Sequence, residues 1–468
     1  MKPSVTRSGT TLIVYAVMVL VAAGTYLGVR SLGEGLVAPT LAPGVPSFEQ
    51  SAHGPQNPLL HILLVLAVVM VLSRLLGAVF RRIHQPPVIG EIIAGIMLGP
   101  SLLGQFAPSV SAYLLPPALG SHLAMIAQVG IVLFMFLVGV DLDTSVLRKQ
   151  ARTTAMVSHV SIVVPFSLGL IAALSLYPRL STSDVPFTTF ALFIGVSMSI
   201  TAFPVLARIL SDRGLSRTDL GVMAISCAAI DDVTAWCLLA VVVAIAKSEG
   251  ARALITVAFT IGYLVAMLLV VAPIAKKWAD NRATPAVTAM VIIGVLLSSI
   301  ATEAIGIHAL FGAFLLGALI PHDSRLATEL QAKMRDLVSL LFLPAFFALT
   351  GMRTEIGLLS EVDHWVMFGA ILAIACAGKL GGSTIAARFA GLSWRTSLSL
   401  GVLMNTRGLI QLIVLDIGLQ MRILTPALFT MMVLMALVTT FATTPLLAYL
   451  EPADVKVSVA SLDPGTPG

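Results

Sequence analysis

The chain has 468 residues, of which 57% are hydrophobic and 11% charged, with a formal net charge of +5 and a mean hydropathy of +0.99. Soluble domains carry about 25% charged residues, so a soluble globular enzyme, a disordered protein and a nucleic-acid binder are excluded. So few charges leave the sign of their balance uninformative about partners, and three cysteines (Cys227, Cys237, Cys376) in apolar stretches cannot build a disulfide framework.

A membrane span needs about 20 apolar residues. Apolar runs fall at 11–31, 58–80, 86–104, 121–140, 154–177, 187–211, 218–246, 251–275, 285–301, 306–321, 335–352, 363–388, 395–419 and 424–450. These fourteen runs predict helices, because only helices and closed barrels satisfy their backbone in lipid. The alternating ten-residue segments of a barrel are missing. The expected fold is one all-α polytopic membrane unit.

The first run, within residues 1–57, stands apart. It is followed at 33–57 by a Gly/Pro-rich linker without Lys or Arg. Lys2 and Arg7 ahead of it fit a signal peptide, but its length favours a retained extra helix. The polar tail at 451–468 is expected to be disordered.

Lysine and arginine set the topology. With the N-terminus in the cytoplasm, 19 of them fall on the cytoplasmic side. Six fall outside: Arg30, Arg179, Lys247, Arg252, Arg353 and Arg422. The remaining three, Arg74, Lys379 and Arg407, lie within spans, and both termini are expected to be cytoplasmic in a bacterial inner membrane.

Two blocks of five spans follow the same order. The first runs from a Gly-rich span at 86–104, through a Pro-interrupted span at 187–211, to a span with central acids. The second runs from a Gly-rich span at 306–321, through an interrupted span at 395–419, to the last span. They start on opposite sides, the plan of an inverted repeat in secondary transporters.

Asp231 and Asp232 stand mid-span in AISCAAIDDVTAWCLLA. Each intramembrane carboxylate costs at least about 2.5–3.5 kcal/mol on insertion scales. Asp231 lies 12 residues past Asp219, about 18 Å deep at 1.5 Å per residue. Lys379 and the breaks at Thr201–Pro204 and Asn405–Gly408 fall at a similar depth. Successive helix residues point about 100° apart, so one Asp can pair with Lys379 while the other faces a cavity. The two should titrate as a coupled set, and the unpaired carboxylate can hold a proton or a hard cation.

Pro204 removes an N–H, and Asn405, Thr406 and Gly408 weaken the second helix. Unwound backbone frees carbonyls for an ion. Na⁺ and K⁺ want oxygen, so the candidate ligands are Asp231, Asp232, the Thr201 and Ser199 hydroxyls, backbone carbonyls and water. The alternative for Thr201 is a threonine bonded back to its own helix. Arg407 has a structural role, neutralises carbonyl ends, or pairs with Glu91. Glu91, Glu303 and Asp416 lie nearer span ends, where a solvated interface is the default. No cofactor, enzyme nucleophile–base set or nucleic-acid partner is expected.

The segments QPPVIGEIIAGIMLGPSLLG, SITAFPVLARIL, AAIDDVTAW, GIHALFGAFLLGALIP, GKLGGS and MNTRGLIQLIVLDIGL, in this order, resemble the monovalent cation/proton antiporter superfamily. The similarity is to the branch of bacterial sodium/proton antiporters and plant-type exchangers, over about residues 57–450. It implies thirteen family helices plus the extra one, with two crossed broken helices. It implies a core ion-transport domain at 154–246 and 363–450 and a dimerisation domain at 58–140 and 285–352. The resemblance also implies a linker helix at 251–275 and a homodimer with an elevator-like core movement.

By the same resemblance Asp232 is the ion and proton carrier, Asp231 pairs with Lys379, and Thr201 belongs to the first broken helix. An Asp rather than Asn at 231 implies electrogenic exchange, two protons per cation. Gln411 departs from the Glu usual in relatives, and no long regulatory domain is expected after the last span. The leading expectation is antiport of Na⁺ or K⁺ against protons. The competing one is a non-transporting ion sensor using the same site.

Overall fold

The computed structural model describes residues 6–39, 57–116, 119–142, 153–216, 218–247 and 251–451. Most of the linker and nearly all of the expected tail at 451–468 lie outside the described residues. Among the described residues every regular element is helical.

The first four long helices are α1 (Thr6–Gly33), α2 (Pro58–Arg82), α3 (Pro87–Leu98) and α4 (Gly120–Asp141). Next come α5 (Thr153–Leu180), the pair α6 (Phe187–Ser199) and α7 (Phe203–Asp212), and α8 (Asp219–Lys247). Helix α9 (Ala251–Ala266) runs through a π turn into Ala272–Trp278, followed by α10 (Pro285–Ile305) and α11 (Ala309–Leu319). Two more helices carry π turns: α12 (Arg325–Leu337, continued as Leu343–Met352) and α13 (Val362–Cys376, continued as Gly382–Phe389). The pair α14 (Trp394–Met404) and α15 (Leu409–Gln420) precedes α16 (Pro426–Leu450).

Each of the fourteen expected spans coincides with one of these helices or pairs. Eleven stretches among the described residues are long and apolar enough to cross a membrane. They become twelve if α14 and α15, bent by 41°, count as one. The other two are shorter apolar helices, Val17–Gly33 and Ala309–Leu319. The span expected at 306–321 is shortened because Gly306, at φ 102°, ends α10 and Glu303 accepts the Ala309 N–H at 2.9 Å. The span expected at 335–352 starts earlier, at Arg325, because the Ser324 hydroxyl caps the Ala327 N–H at 3.1 Å.

The two five-span blocks interlock by exchange. Helix α3, first of block one, packs on the end of α12, second of block two. A Cβ added at Gly95 would lie 2.1 Å from the Ala348 carbonyl oxygen, and one at Gly351 2.2 Å from that of Ile92. Reciprocally, α4 packs on α11: a Cβ at Gly139 would lie 2.2 Å from Phe314 O, and at Gly317 2.2 Å from Phe136 O. Lipid is as apolar as the helix faces, so such close backbone contact is what drives helices together in a bilayer. The third and fifth helices pack within each block, α5 on α8 and α13 on α16. Corresponding members of the blocks are seven spans apart along the chain, an odd number, so equivalent helices run in opposite directions.

Helix α1 packs on α5 and α6. Gly33 lies against the Phe187 ring, and the Ser183 N–H donates to Pro39 O at 3.1 Å.

Candidate functional site

The first break opens between α6 and α7, where Ile200 (φ −74°, ψ 136°) and Ala202 (φ −94°, ψ 91°) are extended. Pro204 sits in the first turn of α7, where its missing N–H would have had no helical partner anyway. It therefore starts the second half-helix rather than breaking the first. The second break is Asn405–Gly408, between α14 and α15.

The two breaks touch. The Ala202 N–H donates to Thr406 O at 3.0 Å, and the Thr201 hydroxyl lies 3.1 Å from Met404 O. Glycine is required at 408 for this approach, since an added Cβ would lie 2.6 Å from Val205 Cγ2.

Asp231, from α8, points into this contact and is fully buried. Its Oδ1 accepts from Ser158 Oγ at 2.5 Å. Its Oδ2 accepts from Ser161 Oγ at 2.7 Å, Thr201 Oγ1 at 2.9 Å and Lys379 Nζ at 2.7 Å. Lys379, also fully buried, sits on the π turn Ala377–Gly381 of α13. Gly378 beside it admits α5, because an added Cβ would lie 2.8 Å from Pro165 Cα. π turns recur at functional sites because they displace a side chain from the helical register.

Asp232 is 4% exposed, and its Oδ1 has no hydrogen-bond partner among the described residues. The Phe203 backbone N–H, first of α7, faces its carboxyl. The adjacent acids thus differ sharply: one accepts from four donors, the other keeps a buried oxygen open. An unpaired buried polar atom is costly, so Asp232 is the group equipped to take a proton or a cation.

Arg407 is fully buried, and its Nη1 donates to Ser197 O at 3.1 Å and Gln411 Oε1 at 3.1 Å. It therefore serves a carbonyl near the C-terminal end of α6, where the helix dipole is negative. The pairing of Arg407 with Glu91 is not formed. Glu91 is only partly buried on α3, and its charged neighbours are Arg74 and Arg81. Ser199 turns away from the acids, donating to Val196 O of its own helix at 2.8 Å. Asn405 donates to Cys376 Sγ at 3.6 Å, and Thr406 Oγ1 lies 3.4 Å from Thr443 Oγ1.

The structure thus brings together Asp231, Asp232, Thr201, Lys379 and both breaks, and leaves Ser199 and Glu91 outside the cluster. Sequence reasoning missed Ser158 and Ser161, one helical turn apart on α5, and Thr440 on α16, which bonds the backbone of Arg407. A further correction concerns Asp416. It is not at a solvated interface but 5% exposed and ion-paired with Arg353.

Comparison with known proteins supplies the frame for this geometry. A model of the transmembrane sodium/hydrogen exchanger family matches residues 58–449. The Na⁺/H⁺ antiporter NhaS4 of Synechocystis is 42% identical over 404 residues, covering 85% of this chain and 98% of that protein. The K⁺/H⁺ antiporter 1 of Saccharomyces cerevisiae is 32% identical, covering 87% of this chain but 48% of its own length. The solved sodium proton antiporter MjNhaP1 from Methanocaldococcus jannaschii superposes with a TM-score of 0.59 at 15% identity, over 84% of this chain and 97% of that one, a likeness of fold. With the family model covering most of its length, this chain belongs to the transmembrane sodium/hydrogen exchanger family, a family of transporters.

Proposed function

We propose that the chain is a secondary antiporter that exchanges a monovalent cation, Na⁺ or K⁺, for protons at Asp232. The observation that carries this reading is the open, buried Oδ1 of Asp232 beside a fully donated Asp231, where two broken helices meet. Proton and hard cation compete for that oxygen, so loading one expels the other. Thr201, Asp231 and the freed carbonyls complete an oxygen cage. Relatives named as Na⁺/H⁺ and K⁺/H⁺ antiporters support the same reading.

The stoichiometry follows from Lys379. Three hydroxyls, from Ser158, Ser161 and Thr201, hold Asp231 besides the ammonium. They keep the carboxylate solvated when an entering cation displaces Lys379. A displaced, buried ammonium sheds its proton, because burying an unpaired charge is costly. Two protons then leave for one cation, and exchange is electrogenic. On this reading residues 154–246 and 363–450 form the moving core, and 58–140 with 285–352 form the scaffold of a homodimer. The protein lies in the bacterial inner membrane with both termini cytoplasmic and needs no resident cofactor.

The test is flux in proteoliposomes with an internal pH dye. Addition of Na⁺ or K⁺ should alkalinise or acidify the lumen according to the gradient, and Asp232→Asn should abolish the response. Cation binding without flux in the wild-type protein would favour an ion sensor instead. With the potential clamped by valinomycin, a rate indifferent to voltage would reject the two-proton ratio.

A further inference from the structure

The inverted repeat gives the second break a counterpart to the hold that Asp231 exerts on the first. In block one the fifth helix, α8, grips the break through Asp231 and Thr201. In block two the fifth helix is α16, and its grip is Thr440. The Thr440 hydroxyl donates to Arg407 O at 2.6 Å and accepts from Arg407 N at 2.9 Å. Thr440 is 2% exposed.

In an unbroken helix the Arg407 N–H would donate to the carbonyl four residues back, that of Leu403. That carbonyl instead takes the Thr406 N–H at 3.1 Å. One hydroxyl, a donor and an acceptor at once, therefore satisfies both backbone groups of a residue that has left the helix.

The contacts lead from Thr440 to the ion cluster in two directions. Arg407, with its backbone fixed, places its guanidinium on Ser197 O at the end of α6. Thr406, its neighbour, offers the carbonyl that holds the Ala202 N–H, next to the threonine that donates to Asp231.

We propose that Thr440 is a positioning residue for exchange. It fixes the unwound backbone of the second break and, through it, the Thr201–Asp231 side of the cation cage. The second repeat thus keeps the grip of the fifth helix on the fourth but uses a neutral hydroxyl where the first repeat uses a carboxylate. This proposal rests on the antiport reading, which wild-type flux tests separately.

The experiment compares three variants in proteoliposomes at matched protein density, reading apparent KM for the cation against maximal rate. Thr440→Val keeps the shape and loses both hydrogen bonds. It should raise the cation KM about tenfold or more. Thr440→Ser should stay within about twofold of wild type. Thr444→Val is the control: Thr444 lies four residues along the same helix, is 4% exposed, and its hydroxyl has no partner among the described residues. It should leave KM unchanged. A wild-type KM in T440V, a T444V defect equal to that of T440V, or failure of T440S to restore KM would each overturn the proposal. Should T440V not accumulate in the membrane, T440S against T440C decides it. These differ by one atom, oxygen for the weaker donor sulfur, and equal KM values would overturn it.

Discussion

Lys379 donates to Oδ2 of Asp231 at 2.7 Å with neither side chain exposed to solvent. Removing one partner of such a pair leaves an uncompensated buried charge, at a cost of about 3–5 kcal/mol. Lys379→Met should therefore lower the melting temperature of the detergent-solubilised protein more than the double change Lys379→Met with Asp231→Asn. Strict additivity of the two single changes would show that the pair does not couple.

The proposed competition at Asp232 fixes the sign of the pH response. If protons and cations bind the same carboxylate, as proposed, then by mass action the apparent cation KM rises as pH falls. In the acid limit the rise is about a hundredfold per pH unit if two protons leave for each cation and about tenfold if only the Asp232 proton does, while the maximal rate at saturating cation holds. A KM flat across the acid range, with only the rate falling, would place the proton elsewhere.

Arg353 and Asp416 form a second buried pair, with side chains 9% and 7% exposed. It joins the end of α12 to the half-helix α15. Gln420 donates to Asp416 at 2.6 Å, and Gln128 on α4 donates to Gln420 at 2.9 Å. Asp416→Asn should destabilise the protein measurably, whereas Asp323→Asn, at an 81% exposed side chain, should not. Equal thermal transitions for the two variants would contradict the burial argument.

Gly95 and Gly351 admit no side chain. Even Ala at either position would drive a Cβ to within 2.2 Å of a backbone oxygen across the helix contact, and backbone cannot swing aside as a flexible side chain can. Gly351→Val should reduce the amount of monodisperse protein in the membrane severely. Gly262→Ala, where nothing lies within 4 Å, should leave it unchanged. Size-exclusion profiles of the two variants make the comparison.

Much of this site is legible in the sequence because charge in a bilayer is expensive. Asp231, Asp232 and Lys379 stand out in apolar runs for that reason, and Pro204 and the Asn405–Gly408 segment mark broken helices. Ser158, Ser161 and Thr440 carry no such signal. A hydroxyl in a span ordinarily bonds back to its own helix, as Ser199 does with Val196, and only packing reveals a different target. Asp416 was hidden by position: an acid near a span end has water as its default partner, and nothing local announces Arg353, 63 residues away. The span at 306–321 reads long because apolar residues continue past Gly306 and Leu319, while a left-handed glycine and the Glu303 cap confine the helix.

The reciprocal glycine contacts bear on how the chain is made. Gly95 meets Gly351 and Gly139 meets Gly317, so neither repeat can finish its own packing while the ribosome has delivered only the first. Gly351 emerges 256 residues after Gly95, which at 5–20 residues per second takes roughly 10–50 s. Gly317 follows Gly139 by 178 residues, roughly 9–36 s at the same rates, so the glycine faces of α3 and α4 lack their partner helices until then. Biogenesis of this protein is thus a waiting game between its halves, and the membrane insertase or a chaperone has that long to shield those faces.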